Sequence, residues 1–237
     1  MRDIAYYNGK IGRIDEVQAP ITDRGFYFGD GVYDAAMVNN KKIFELEDHL
    51  DRFYNSLKLL RIEPPMQRDE LTKTLNELVS QLDSDAPHML YWQSTRAAAH
   101  RKHAFPAGAK ATLMAFAEAC PLDRHDHPYK LITVEDTRFL HCNIKTLNLI
   151  PSVIAYQRCI EQGCQETVFH RGERGHGLQQ RRFRVLGKLP VSLHRGDEEF
   201  RLSPESRFQI GFFIKRHGVS PLRKAAYPRA AQATRRV

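Results

Sequence analysis

Apolar residues recur with two distinct periods along this chain, and the switches between them mark its elements. Residues 5–17 read as a hairpin, with Asn8-Gly9 as the turn between Ile-Ala-Tyr-Tyr and Lys-Ile-Gly-Arg-Ile. Asn-Gly suits a two-residue hairpin turn because both residues tolerate positive φ. A glycine-punctuated stretch, Asp23-Arg-Gly-Phe-Tyr-Phe-Gly-Asp-Gly-Val-Tyr33, leads into a strand around 32–38, and a turn at Asn39-Asn40 feeds Lys-Ile-Phe. Leu46, Leu50, Phe53, Leu57 and Leu60 then fall on one helical face, which predicts a helix over 46–60. Leu71, Leu75, Leu78 and Leu82 predict a second helix over 68–82, with Pro64-Pro65 as the break.

Strands are expected at 88–95, 111–118, 130–134 and 166–170, and a helix at 147–162 closed by Gly163. Residues 171–200 follow neither period, and Phe208–Ile214 is apolar enough for a strand or short helix. The expected organisation is an N-terminal α+β domain over 1–120, a linker over 121–128 and a C-terminal domain over 129–237.

Composition adds one feature. The formal net charge is +8, yet residues 171–237 hold 13 Arg and 3 Lys against 5 acidic residues, while the preceding 170 hold 20 basic and 23 acidic. The whole positive excess therefore follows residue 170. No apolar run approaches the ~18 residues of a membrane span, and the N-terminal stretch lacks the apolar core of a signal peptide, so a cytoplasmic chain is expected. The four cysteines have no Cys-x-x-Cys spacing and read as reduced packing residues, with no metal expected. The arginines of the tail are scattered and match no nucleic-acid-binding pattern, so nucleic acid is not an expected partner.

On spacing alone no catalytic residue stands out. Lys145 lies between apolar residues before the expected helix, where loss of water favours an uncharged, nucleophilic amine. A surface lysine fits the same spacing. Three segments in register resolve the choice. Asp23–Tyr33, Glu47-Asp-His-Leu-Asp-Arg52 and Thr137-Arg-Phe-Leu-His-Cys-Asn-Ile-Lys-Thr-Leu-Asn-Leu149 resemble the signatures of class IV (fold type IV) pyridoxal-phosphate enzymes, from about residue 3 to about residue 174. Arg101 and His103, in Arg-Lys-His-Ala-Phe-Pro, resemble the Arg-x-His pair of the D-amino-acid aminotransferases within that family.

The resemblance implies a fold of small α+β domain plus a barrel-like second domain, incomplete here, a homodimer, and pyridoxal 5′-phosphate as cofactor. It implies Lys145 as the Schiff-base lysine and proton carrier, Arg52 on the cofactor phosphate, and Arg138 near the cofactor. Tyr33, Arg101 and His103 are implied to bind the substrate α-carboxylate. The implied reaction passes an amine from a D-amino acid such as D-alanine to a 2-oxo acid such as 2-oxoglutarate. A branched-chain aminotransferase, an aminodeoxychorismate lyase, a catalytically silent homologue or a nucleic-acid binder acting through the basic tail are the alternatives.

The resemblance then breaks off. The family's acidic partner for the pyridine nitrogen is expected within Gly175-His-Gly-Leu-Gln-Gln-Arg-Arg-Phe183, where Gly177 stands at its position, and the later phosphate-binding turn has no match. A change of reading frame near Arg174 accounts for both this loss and the charge break. One permitted codon choice for Gly175–Gln180, shifted by one base, reads Val-Thr-Asp-Cys-Ser-Ser, close to the family segment.

Overall fold

The computed structural model describes residues 3–122 and 131–171, and the backbone of 174–178. Its first unit is a six-stranded antiparallel sheet. β1 (Ile4–Tyr7) and β2 (Lys10–Gly12) form the expected hairpin, with Asn8 and Gly9 at φ 46° and 91°. A five-residue helix, α1 (Arg24–Phe28), precedes β3 (Gly31–Asn39) and its short partner β4 (Lys42–Ile43). The turn between those strands falls one residue later than expected, at Asn40-Lys41, the two residues with positive φ. Helices α2 (Leu46–Leu59) and α3 (Arg68–Ser80) follow, then β5 (His88–Thr95) and β6 (Thr112–Ala119). Strand order is β2-β1-β6-β5-β3-β4.

The two amphipathic helices cover one face of this sheet. Leu50, Phe53, Leu57, Leu71, Leu75 and Leu78 are fully buried against Val32, Leu90, Trp92, Ala115 and Ala117 of the strands. Each large side chain so buried contributes about 1.5–3 kcal/mol, which makes this face the main source of stability. The opposite face carries Tyr33, Tyr91 and Phe116, stacked in sequence at 5.4 and 5.1 Å across β3, β5 and β6.

A three-stranded sheet forms the second unit. β7 (Leu131–Glu135) runs parallel to β8 (Glu166–Arg171), joined by the crossover helix α4 (Ile150–Glu161), and β9 (Arg174–Leu178) returns antiparallel to β8. α4 buries Ala155 and Cys159, and its end is closed by Gly163 at φ 66° with Cys164 N–H on Cys159 C=O (2.9 Å) and Gly163 N–H on Ile160 C=O (2.9 Å). Those two bonds satisfy carbonyls that the helix end leaves open.

Two differences from the sequence expectation have clear local causes. α1 lies inside the glycine stretch that was read as a loop, because Asp23 caps its N-terminus through Gly25 N–H and Gly29 closes it in the left-handed region. α4 starts at 150 rather than 147, because residues 146–148 are tied to the first sheet. β6 runs 112–119 and β7 131–135, one residue beyond the expected spans. β9 was not expected at all. Most of the 121–128 linker and the apolar stretch Phe208–Ile214 lie outside the described residues. No helix among the described residues is long and apolar enough to cross a membrane.

Candidate active site

Lys145 is held by its backbone before its side chain is considered. Its N–H donates to Ser56 Oγ on α2 (3.3 Å), and its C=O accepts from Tyr33 N–H on β3 (3.0 Å). Thr146 bridges Val32, Leu147 N–H bonds Gly31 C=O (3.2 Å), and Asn148 Nδ2 bonds Gly29 C=O (3.1 Å). The lysine segment thus runs beside the start of β3 as a short extra edge. Two glycines make that approach possible. A Cβ at Gly31 would lie 2.5 Å from Ser94 O and 2.8 Å from Leu147 Cδ1, and one at Gly29 would lie 2.6 Å from Asn148 Oδ1. The side chain of Lys145 is half-buried, with Nζ 3.9 Å from the centre of the Tyr33 ring.

The next residue on β3 faces the other way. Asp34 is fully buried beneath α2 and accepts from His49 Nδ1 (2.7 Å), Arg52 Nε (2.7 Å) and Arg52 Nη2, besides its neighbour Ala35 N–H (2.7 Å). Burial alone would push this carboxyl up, but the hydrogen bonds from His49 and Arg52 outweigh it and hold it below the ordinary carboxylate value. Arg52 is fixed on one side by this pairing, while its side chain stays 32% exposed and Nη1 takes no partner among the described residues. The sequence pointed to Arg52 but not to Asp34, His49 or Ser56. The available signal was a polar series on α2, with His49 and Ser56 at i−3 and i+4 from Arg52 on an otherwise apolar face.

Arg138 is bound to Asp136 through Nε (2.8 Å) and Nη2 (3.0 Å) and lies 4.1 Å over the Phe169 ring. Arg171 completes the cluster on Asp136 at 3.2 Å. Arg101 and His103 are exposed and meet on a different ring, with the Arg101 guanidinium 5.2 Å and the His103 imidazole 5.1 Å from the centre of Phe28. The structure therefore joins Lys145 to Tyr33, sets Arg52 one turn of α2 from the Ser56 that holds Lys145, and pairs Arg101 with His103 at α1. A cavity of about 320 Å³ opens between Tyr91 and Gln93 of the sheet and Leu147 and Leu149 of the lysine segment.

A βαβ crossover docked onto an antiparallel α+β unit through a clamped lysine defines a recognisable class. The amino-transferase class IV sequence pattern matches residues 31–176, and the chain belongs to that family. It is 32% identical over 173 residues to the D-alanine aminotransferase of Staphylococcus aureus (strain N315), and 33% over 171 residues to that of Staphylococcus haemolyticus. In each case 71% of this chain is covered, and it spans only 60% of the relative's length. The fold is that of fold type IV enzymes. The branched-chain aminotransferase of Thermoproteus uzoniensis with norvaline superposes with a TM-score of 0.63 at 16% identity, over 74% of this chain and 62% of that one. The pyridoxal-phosphate-bound form of a hypothetical aminotransferase from Mycobacterium tuberculosis gives 0.58 at 15%, over 70% and 62%.

Class IV aminotransferases use pyridoxal phosphate. The donor set of this chain fits two ends of that molecule: a half-buried amine for its aldehyde, and a fixed guanidinium with one open edge for its phosphate. Gly177, which stands where the resemblance expects an acidic partner for the pyridine nitrogen, pairs through its backbone with Phe169 in the β8–β9 ladder.

Proposed function

We propose that this chain carries the substrate-proximal part of a pyridoxal-phosphate-dependent aminotransferase that takes a D-amino acid of the D-alanine type and a 2-oxo acid of the 2-oxoglutarate type. The observation that carries the reading is Lys145, clamped through both backbone groups with its Nζ on the Tyr33 ring. The cofactor supplies the electron sink when bound. The residues supply the rest. Lys145 Nζ would hold the cofactor's aldehyde carbon and would carry the substrate Cα proton. Arg52, oriented by Asp34, would hold the phosphate, and Arg138 would contribute near the cofactor. Tyr33, Arg101 and His103 hold the substrate carboxylate. Support for the D-amino-acid donor is the identity with D-alanine aminotransferases and the Arg-x-His pair. We further propose a cytoplasmic homodimer, the domain limits 1–120 and 129–237, and a change of reading frame near Arg174. The family match ends at residue 176, beside the charge break.

The test is to add pyridoxal phosphate to the purified chain and follow the visible band of the lysine-bound cofactor, then fix it with borohydride and map the modified residue. Attachment at Lys145 is expected. The same band in Lys145→Ala, or none in the native chain, defeats the reading. D-alanine, L-leucine and aminodeoxychorismate, offered in turn with 2-oxoglutarate, separate the D-amino-acid reading from its two relatives. The frame proposal fails if the gene's nucleotides, shifted by one, give no Ser-Asn-like continuation.

A further inference from the structure

Arg24 is buried on a helix of five residues, with its side chain 4% exposed, and nothing proposed above uses it. Its Nε donates to Asp30 Oδ2 (2.7 Å) and its Nη1 to the backbone carbonyl of Lys102 (2.6 Å). Neutralising Asp30 does not require it, because Arg96 already meets both carboxylate oxygens through Nε (2.9 Å to Oδ2) and Nη2 (3.0 Å to Oδ1). What Arg24 adds is a fixed donor on the one carbonyl that separates Arg101 from His103.

The surrounding chain is pinned towards the same end. Arg24 N–H bonds Ala97 C=O (3.0 Å), Ala99 N–H bonds Thr22 C=O (2.9 Å), and the Tyr27 hydroxyl donates to Ala99 C=O. Beyond the turn, the Phe105 ring lies 3.6 Å under the Arg96 guanidinium. The turn between these anchors is exposed, and its midpoint is held by Arg24. Phe28, on the last residue of α1, then receives three cationic or imidazole groups on one ring: Arg24 at 4.7 Å, Arg101 at 5.2 Å and His103 at 5.1 Å.

We infer that Arg24, together with Phe28, is a positioning residue that holds Arg101 and His103 as a preformed pair for a carboxylate. The inference rests on the carboxylate role proposed above for that pair. Exposed arginine and histidine side chains lose rotamer freedom when they capture an anion, and ordering them beforehand removes that cost from binding. A lysine at position 24 keeps the positive charge beside Asp30 but lacks the planar fork that reaches Asp30 and Lys102 together.

The experiment follows the His103 ring signals by NMR in the full chain, assigned with His103→Gln, and titrates propionate as the carboxylate probe. The native signals are expected away from the exposed-histidine position because of the Phe28 ring, and to move saturably with propionate. In Arg24→Lys and Phe28→Leu they are expected to relax towards the exposed position, with propionate needed at about tenfold higher concentration, while the pyridoxal-phosphate titration at Lys145 is unchanged. Phe28→Leu carries the test if Arg24→Lys does not fold. His103 signals and propionate affinity that stay native in the folded variants overturn the positioning role. Propionate binding that survives Arg101→Ala overturns the carboxylate reading instead, which separates the two failures.

Discussion

Asp34 has no solvent exposure, and four donor groups from three residues converge on it. Replacing it with asparagine leaves His49 and Arg52 without their anion. Removing one partner of a fully buried pair costs about 3–5 kcal/mol. The partial exposure of Arg52 lets water replace part of the bond, so Asp34→Asn is expected to destabilise by about 1–3 kcal/mol in urea unfolding. It should also weaken pyridoxal phosphate binding while leaving attachment at Lys145. Ser56→Ala is a milder probe, expected to cost about 1 kcal/mol through the lost bond to Lys145 N–H. Lys145 and Arg52 were singled out as candidates by the residues around them. Asp34 was not, because one Asp after Tyr33 on an alternating strand gives no sign of which face it takes. Only the register of β3 against β5, with Asp34 opposite the buried Trp92, turns it towards α2.

Elements were legible where a period had room to repeat. The two Leu-rich helices and the strands at 88–95 and 166–170 stand within a few residues of their expected limits. α1 spans little more than one turn and contains a glycine, so neither period nor propensity could show it. β9 alternates Arg, Gly and His without an apolar face. The consequence for the site is that the lysine segment and β3 fit each other through glycines whose purpose the sequence alone does not reveal. Gly31→Ala brings a methyl group within 2.5 Å of the Ser94 carbonyl, a backbone atom that cannot rotate away. Overpacking of this kind costs about 1–3 kcal/mol, and the shift is expected to move Lys145 away from Tyr33. Thermal unfolding checks the first part. Slower borohydride trapping of added pyridoxal phosphate at Lys145 checks the second. A Gly31→Ala chain that melts and traps like the native one would show that this close approach is dispensable.

At the scale of the whole molecule, charge acts in two ways that acid can separate. The chain already carries a formal +8, so protonating carboxylates adds to a positive excess, and self-repulsion between distant groups grows. Locally, Asp30, Asp34 and Asp136 sit in arginine pairs. Burial would raise each carboxyl, but the hydrogen bonds to Arg96 and Arg24, to His49 and Arg52, and to Arg138 hold all three below the ordinary value of 3.8. A folded-state value below the unfolded one means that the stabilisation is complete above about pH 4 and is lost as pH falls through the depressed values. The melting temperature should therefore drop steeply below about pH 4. Salt at about 0.5 M screens the long-range repulsion but leaves buried pairs largely untouched, so it should restore only part of the loss. Asp30→Asn and Asp34→Asn begin from lower stability at neutral pH and have one fewer proton to take up on unfolding in acid. Their melting curves should converge on the native one as pH falls. Melting temperatures followed from pH 7 to pH 3 at low and high salt decide the matter. Curves that stay parallel, or a loss that salt abolishes entirely, would assign the acid sensitivity to net charge and remove the buried pairs from the account.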